Sequence, residues 1–588
     1  MTRTVIRLSA VLSVSSLGLV ACQGSIGNAD HSASAGMPGA AAESGGTTGG
    51  VPGGGGAGAG TPAGMVPGGG GAAGAAGASS DSTVPLLPAR IRRLTNAEFD
   101  TSVKGLLGVD STFGANFTPD TRQDGFSRND AQRVDPVFIS QLQDAAEKLA
   151  ATARSNVTQL APCSDPAGSE ACAQTFLTSF ATRAYRRPAT DAEVSALLTV
   201  YRAGADSATY EDGIQTTIQA VLESPGFLYV TELGDTPLTD GSKLTQYELA
   251  SSLSYLVTGG PPDDALLAAA KAGDLTDATK RESHLERLLA TNPASAQVVR
   301  LVEEWLGIDA ITQTAKDSNT YPSFAGLRDS MKKEADDFTT EVMWKAAGSV
   351  GDLVSANWTI ADDPLARMYL NLHDGDAVPR TGTHVMLPAT RHGILDQGAF
   401  LSVYAHANET APVLRGVAVL RRLACFNIPS PTTLNLNVVP PLPDNTKTTR
   451  QRFDIHQKDP VCAQCHTNID AVGFSFEDLD GMGSWRDHDN GLAVDSSTTL
   501  QTGLSFDGNY ADSSALAVAL GASPDVSACF ARHFFRYAAT RSDDEATAAE
   551  EAFMTAANAL APDAQGKLLA LLSAFVKSDA FVTRKASE

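Results

Sequence analysis

Three capping boxes mark the starts of helices along the sequence. In this motif a Thr hydroxyl and a Glu three residues later each satisfy the other's backbone amide. They stand at Thr95/Glu98, Thr190/Glu193 and Thr245/Glu248. Each precedes apolar residues with a period near 3.6, and similar runs predict helices near 294–306, 331–347, 413–422, 513–520, 528–539 and 566–576. The best strand signal is 492–506, after the turn residues 489–491. We therefore expect a mainly α chain with a short β-hairpin.

The first 22 residues have the pattern of an export signal, with Arg3 and Arg7 before the apolar stretch 8–20. The tetrapeptide that ends at Cys22 resembles a bacterial lipobox, in which the Cys becomes the lipidated first residue of the mature protein. The alternative is an ordinary cleaved signal with a chance Cys. No later segment has about eighteen uninterrupted apolar residues. We therefore expect a lipid anchor that holds the protein in the cell envelope, at the outer membrane facing the periplasm or at the cell surface.

Gly, Ala and Ser dominate from residue 23 to about 84, and such a composition cannot bury enough apolar area to offset its ordering entropy. The whole chain has 588 residues, so the part after residue 84 is still too long for one core, and clusters of Pro and Gly divide it. The sequence predicts a signal peptide at 1–21, a lipidated Cys with a flexible tether at 22–84, and helical domains at 85–160, 161–240, 241–380, 381–508 and 509–588.

The formal charge of −23 comes from 67 acidic and 44 basic residues. This field repels a phosphate backbone, so nucleic acid is not expected as a partner. Arg415, Arg421 and Arg422 form a local basic cluster, which we expect on a solvated helix face.

Seven cysteines occur in the chain, and removing Cys22 leaves an even number, as suits an oxidising compartment. Cys462 and Cys465 belong to a CxxCH motif that ends in His466. Two thiols three residues apart on a helical turn can form thioethers with the two vinyl groups of a haem, and the next residue then offers its imidazole to the iron. The motif predicts one covalently attached haem c.

Two other interpretations of the motif remain open at this point. Cys462 and Cys465 could form a local disulfide, or they could bind zinc with His466 and a further ligand such as His456. The second ligand of a haem iron is also open, with five candidates: Met482, His456, His488, His533 and Met554. Arg452 and Arg486 are candidates to pair with the haem propionates.

The four other cysteines are expected to form two disulfides. Cys163 and Cys172 are close enough in sequence for a short-loop bond, and Cys425 and Cys529 then pair by elimination. The stretch 487–491 has a faint likeness to a calcium loop but lacks the distal bidentate Glu. We expect a turn there, and calcium is unlikely. The common hydrolase and nucleotide-binding motifs are absent from the sequence.

Several stretches of the chain carry a family resemblance. They are 92–99, 124–126, 180–188, 224–229, 244–255, 391–395, 410–416, 462–474, 483–486 and 534–537. Through them the chain after the tether resembles planctomycete and myxobacterial secreted proteins built from domains of unknown function with one cytochrome-c-like domain among them. The resemblance implies that 381–508, the fourth helical domain, is cytochrome-c-like. The chain has Ala471 where the family usually has Pro, and the family usually has an aliphatic residue at Met482, so the resemblance does not support Met482 as a ligand.

Three hypotheses of function follow. The leading one is a lipid-anchored envelope haem protein that passes electrons to a redox partner protein or a small-molecule acceptor. The second is a haem-dependent peroxidase-like or oxygenase-like enzyme with an open position on the iron. The third is a structural or glycan-binding envelope protein in which the CxxC pair is a disulfide clasp.

Overall fold

The computed structural model describes residues 86–585, apart from 165–168, 207, 239–240, 374, 430–440, 443, 459 and 542–546. The predicted signal peptide, Cys22 and the tether lie outside the described residues. All described residues belong to one compact unit.

Helices dominate the described residues, which confirms the mainly α prediction. The first seven are α1 (Asn96–Leu107), α2 (Pro136–Arg154), α3 (Val157–Leu160), α4 (Ser169–Ala184), α5 (Asp191–Ala205), α6 (Tyr210–Leu222) and α7 (Pro225–Leu228). The next nine are α8 (Gln246–Thr258), α9 (Asp264–Ala272), α10 (Ala278–Leu289), α11 (Asn292–Leu306), α12 (Phe324–Thr339), α13 (Val350–Ser355), α14 (Asp363–Leu370), α15 (Gly398–Val403) and α16 (Pro412–Arg422). The last eight are α17 (Thr449–Phe453), α18 (Ile455–Lys458), α19 (Pro460–Phe474), α20 (Ser513–Gly521), α21 (Pro524–Ala539), α22 (Thr547–Asn558), α23 (Leu568–Lys577) and α24 (Asp579–Val582).

The strands are short. They are β1 (Leu87–Pro88), β2 (Arg90–Arg93), β3 (Tyr229–Glu232), β4 (Thr236–Leu238), β5 (Gly241–Lys243), β6 (Trp358–Thr359), β7 (Arg380–Thr381), β8 (His384–Met386), β9 (His488–Asp489), β10 (Leu492–Ala493), β11 (Thr498–Leu500), β12 (Gly508–Tyr510) and β13 (Thr583–Lys585). β9 and β10 pair antiparallel around Asn490 and Gly491, both with positive φ, as a two-residue hairpin turn requires. The predicted short hairpin is therefore confirmed.

All three predicted capping boxes are present. Thr95, Thr190 and Thr245 have extended backbones, and each side chain accepts the amide of the Glu that returns the bond to the cap. Because both hydrogen bonds of a capping box lie within four residues, the motif depends little on tertiary packing.

The buried residues form two cores. Side chains from 94–230, together with Tyr255, form the first core. Most buried apolar residues from 244 to 581, together with Leu87 and Phe126, form the second. The segments predicted at 85–160 and 161–240 thus share one core, and the three later segments share the other. The five domain boundaries remain a prediction. The described residues of the five segments pack into two cores.

The two ends of the described chain meet in one sheet. β1 pairs in parallel with β13, and β13 pairs antiparallel with β5. Beside it lies Glu232 at the end of β3, whose buried carboxylate pairs with Arg90 at 2.7 Å and accepts from Arg584 Nε at 3.0 Å. The two guanidiniums hold the pKa of Glu232 well below its usual range, against the effect of burial.

Among the described helices, none alone combines the length and apolar composition needed to cross a membrane, whereas α20 and α21 pass that test only as a pair bent by 72°.

Candidate metal centre

The CxxCH motif lies on the first two turns of α19, as its spacing predicted. In the described residues α19 begins at Pro460, directly after residue 459, which lies outside them. Cys462 and Cys465 are both half-buried thiols, not a disulfide. Cys465 packs against the second core. The structure therefore does not form the local disulfide that the sequence left open.

α19 is held in place by a close crossing with α16. A Cβ added at Gly473 would lie 2.0 Å from the carbonyl oxygen of Pro412, and one added at Gly416 would lie 1.9 Å from the carbonyl oxygen of Ile469. The two helix backbones therefore touch at two glycines, which allow no side chain between them.

Arg415 fixes the turn that follows α19. Its guanidinium donates to the carbonyl oxygens of Phe476, Leu479 and Asp480 at 3.0, 2.9 and 2.7 Å. The side chain is fully buried. The expectation that Arg415 lies on a solvated face was wrong, because carbonyl groups about 60 residues later in the chain replace water around the charge.

His466 is oriented by a buried carboxylate one helical turn later. Its Nδ1 lies 2.8 Å from Oδ1 of Asp470, whose side chain is 0% exposed. His456, at the end of the preceding helix, approaches the same carboxylate, with Nδ1 3.6 Å from Oδ2. Burial lowers the pKa of His456, and the neighbouring His466 lowers it further, so His456 is neutral at pH 7. One carboxylate thus lies between two imidazoles.

This arrangement can hold a metal in two ways. The ligand atoms of His456, His466 and Asp470 lie close enough to share one ion, and neither His456 Nδ1 nor Asp470 Oδ2 has a hydrogen-bond partner. A haem c fits as well. With Nδ1 of His466 turned to Asp470, Nε2 remains for an iron, and metal-bound imidazoles commonly have such a carboxylate partner.

His456 is not placed to bind a haem iron opposite His466. Two imidazoles on opposite sides of one iron have ring centres roughly 6 Å apart, given metal–nitrogen bonds of about 2 Å. The ring centres of His456 and His466 are 4.3 Å apart with a 58° tilt. Both imidazoles also face the Asp470 carboxylate.

The other four candidate ligands have contacts of their own. Met482 is buried, and its sulfur lies 3.7 Å from the Ser323 hydroxyl. His488 lies in the hairpin with Nδ1 2.8 Å from Asp487. His533 contacts the rings of Phe126 and Trp305 and lies 3.5 Å from Asp124, and Met554 is buried in α22.

Arg452 and Arg486, the predicted propionate partners, each have a protein carboxylate. Arg452 donates to Glu409 at 2.6 Å, and Arg486 donates to Glu477 at 2.9 Å and lies 3.2 Å from Asp489. Arg452 precedes α19 in the chain and Arg486 follows it. The pairing of these two residues with haem propionates stays a prediction.

Both predicted disulfides are present, Cys163–Cys172 and Cys425–Cys529. The second joins the end of α16 to α21 across 104 residues. His533 lies near its sulfurs, but sulfurs bonded to each other are not thiolate ligands.

A cavity of about 630 Å³ opens beside α19. Thr467, Ala471 and Phe474 line it from α19, opposite Arg450 and Tyr510. The residues of the CxxCH motif are not among those that line it.

No role was predicted for Asp470 from the sequence. Its spacing of four residues from His466 could have indicated the contact, because residues four apart on a helix face each other. The placement of His456 had no such local signal, because His456 lies in α18, ten positions before His466.

Comparison with family models finds four matches, each to a protein of unknown function. Residues 92–155 match PSD3 (DUF1587), 172–232 match PSD5 (DUF1595), 244–370 match PSD4 (DUF1592) and 391–489 match PSCyt3 (DUF1588). No curated protein and no solved structure matches the chain. The chain is thus a multidomain protein assembled from families without an assigned function, and the matches follow the order of the first four predicted helical domains.

Proposed function

We propose that the chain carries one haem c, bonded to Cys462 and Cys465 and ligated by His466, and that it transfers electrons in the cell envelope. The orientation of His466 carries this proposal, because Asp470 fixes the imidazole by Nδ1 and leaves Nε2 for the iron. The motif lies within the segment that matches PSCyt3, a name that hints at a cytochrome-like domain.

The residues of the site divide the work. When bound, haem c supplies an iron that alternates between the ferrous and ferric states. The two cysteines fix the position of the macrocycle, and His466 binds the iron. Asp470 prevents rotation of the imidazole, and its buried charge makes His466 a stronger donor, which favours the ferric state.

The envelope location rests on independent observations. The predicted signal at 1–21 would direct the chain to export, and after its removal a lipid on Cys22 and the tether at 22–84 would hold the folded part near a membrane. The two disulfides agree with an oxidising compartment, where thioether attachment also takes place. A redox partner protein or a small-molecule acceptor would meet the protein there.

The test is a pyridine haemochrome spectrum of the full chain, expressed with its own signal in a host that attaches haem to c-type cytochromes. We expect the spectrum of a haem held by two thioethers. A Cys163→Ala/Cys172→Ala chain, without the distant disulfide, serves as the control and should keep the spectrum. A colourless wild-type protein from such a host would reject the proposal.

One observation favours a second candidate, a haem enzyme of the peroxidase or oxygenase type. Among the described residues, no contact of the five candidate second ligands brings one of them opposite His466. Carbon monoxide binding separates the two functions. A six-coordinate, low-spin iron that ignores the gas supports electron transfer, whereas a five-coordinate iron that binds it at once supports the enzyme.

A further inference from the structure

Three segments that are distant in sequence meet here: the loop 389–397, the turn 478–486 after α19, and the start of α20. The Arg391 guanidinium donates to the carbonyl oxygens of Asp396 and Gly483, which joins the loop 389–397 to the turn 478–486. The Ser514 hydroxyl donates to the carbonyl oxygen of Ala389 at 2.6 Å, which brings in the start of α20. Asp396, Asp478 and Asp512 lie one in each of these three segments.

Two of these carboxylates are buried, and each has an oxygen without a hydrogen bond of normal geometry among the described residues. Asp396 is 0% exposed and Asp478 is 8% exposed. Oδ2 of Asp396 accepts the amide of His392 at 2.8 Å, but Oδ1 of Asp396 and Oδ1 of Asp478 have no hydrogen-bond partner. A buried carboxylate oxygen without a partner is costly unless a proton or a cation satisfies it.

A buried hydroxyl lies at the same place. Ser513 is 1% exposed, and its hydroxyl lies close enough to the Asp396 carboxylate to lower the pKa of that group, although the contact lacks normal hydrogen-bond geometry. An uncharged oxygen donor therefore lies beside Asp396.

The charges do not balance. Burial and, less strongly, repulsion from Asp512 raise the pKa of Asp396 to about 6. Burial also raises the pKa of Asp478 to about 7, with added repulsion from Asp396 and Asp512. Arg391 opposes both shifts, but it is one guanidinium beside three acidic side chains. His392 adds no positive charge at pH 7, because burial lowers its pKa.

We propose that Asp396, Asp478 and Ser513 hold a calcium ion, with Asp512 adding negative charge at the start of α20. The donors are hard oxygens from three separate segments, which suits the irregular coordination that calcium accepts and magnesium resists. A divalent cation would favour the ionised form of both buried carboxylates. The ion would clamp the loop 389–397, the turn 478–486 and α20 together, and the proposal does not depend on haem.

This site differs from the loop 487–491, where calcium is unlikely. In that loop both oxygens of Asp489 are engaged, Oδ2 by the amide of Thr449 at 2.5 Å and Oδ1 by Arg486 at 3.2 Å. The expectation for that loop is unchanged, since it was drawn from the loop's own residues.

The experiment is calorimetric titration of the chelator-treated full chain with calcium chloride, followed by thermal unfolding with and without calcium. We expect one ion bound per chain and a rise in Tm of roughly 5 °C in millimolar calcium, because the ion binds only the folded state. Magnesium chloride should give a clearly smaller rise.

Two variants sharpen the test. The Asp396→Asn/Asp478→Asn chain should show no calcium response, and without calcium it should melt at or above the chelated wild type because the repulsion is gone. Asp487→Asn, whose side chain is 68% exposed in the hairpin, is the matched control and should keep the full response.

Several results would overturn the proposal. A wild-type chain that shows neither heat nor a rise in Tm in millimolar calcium has no such site, whatever the variants do. A double variant that still responds would place the ion elsewhere. If the double variant does not fold, the single Asp478→Asn chain replaces it, with weakened calcium binding expected. An equal response to magnesium would reject the assignment to calcium.

Discussion

The two halves of α19 differ sharply in their surroundings. Residues 460–468, which carry the motif, are exposed or half-buried, whereas 469–474 and the turn up to 479 are buried without interruption. The apolar side chains of Ile455 and Val461, beside the motif, are 62% and 54% exposed. The buried half of α19 thus packs against other parts of the protein, whereas the exposed half leaves apolar surface of the kind that a porphyrin would cover.

The largest expected effect removes the function of the exposed half and leaves the scaffold intact. A Cys462→Ala/Cys465→Ala chain should lose covalent haem completely, since both thioethers are gone. Haem staining after denaturing electrophoresis measures this. Unfolding of the haem-free variant and haem-free wild type should agree within about 0.5 kcal/mol, because half-buried positions contribute little packing. A large loss of stability would show that the exposed half supports the fold.

The next effect breaks the buried half. Gly473→Val should destabilise the chain by about 3 kcal/mol or more, because the new side chain meets the carbonyl oxygen of Pro412 and forces α16 away. Urea unfolding measures the loss. Gly326→Ala is the matched control, an exposed helical glycine with open space around it, and should be neutral or slightly stabilising. Similar stability for the two variants would contradict the close crossing.

Two valines compare the halves directly. Val472→Ala should cost about 2 kcal/mol of unfolding free energy, since Val472 is 0% exposed and its loss leaves a cavity. Val461→Ala should change the same quantity by less than about 0.5 kcal/mol in the haem-free chain. Equal costs would remove the distinction between the halves.

The smallest effect tests the link between the halves, the contact from His466 to Asp470. In the haem-loaded chain Asp470→Asn should raise the midpoint reduction potential by about 60 mV, the one-electron equivalent of a tenfold change, because the loss of the buried charge disfavours the ferric state. Asp487→Asn, which pairs with the exposed His488, should leave the potential unchanged. An unchanged or lower potential in Asp470→Asn would mean that the carboxylate does not act on the iron.

Local patterns were predictable from the sequence and distant contacts were not. Capping boxes, the hairpin turn and the helical position of CxxCH depend on residues within a few positions of each other. Periodicity shows which face of a helix is buried but not which helix covers it. For this reason the sequence could not show that the five predicted segments pack into two cores. Arg415 shows the same limit, because nothing in its own helix indicates that carbonyl groups of 476–480 surround it.

The pairing of Cys425 with Cys529 was predictable only because few cysteines remained once the motif was set aside. The unsatisfied oxygens of Asp396 and Asp478 had no sequence signal, since the two residues are 82 positions apart and meet only through tertiary packing.

The mass of the intact mature polypeptide after denaturation tests the central claim most directly. The account predicts the mass of the amino acids and the lipid plus one haem, which stays attached because thioethers survive unfolding. A mass that amino acids and lipid explain fully would contradict it, and Cys462, Cys465 and His466 would then need another role.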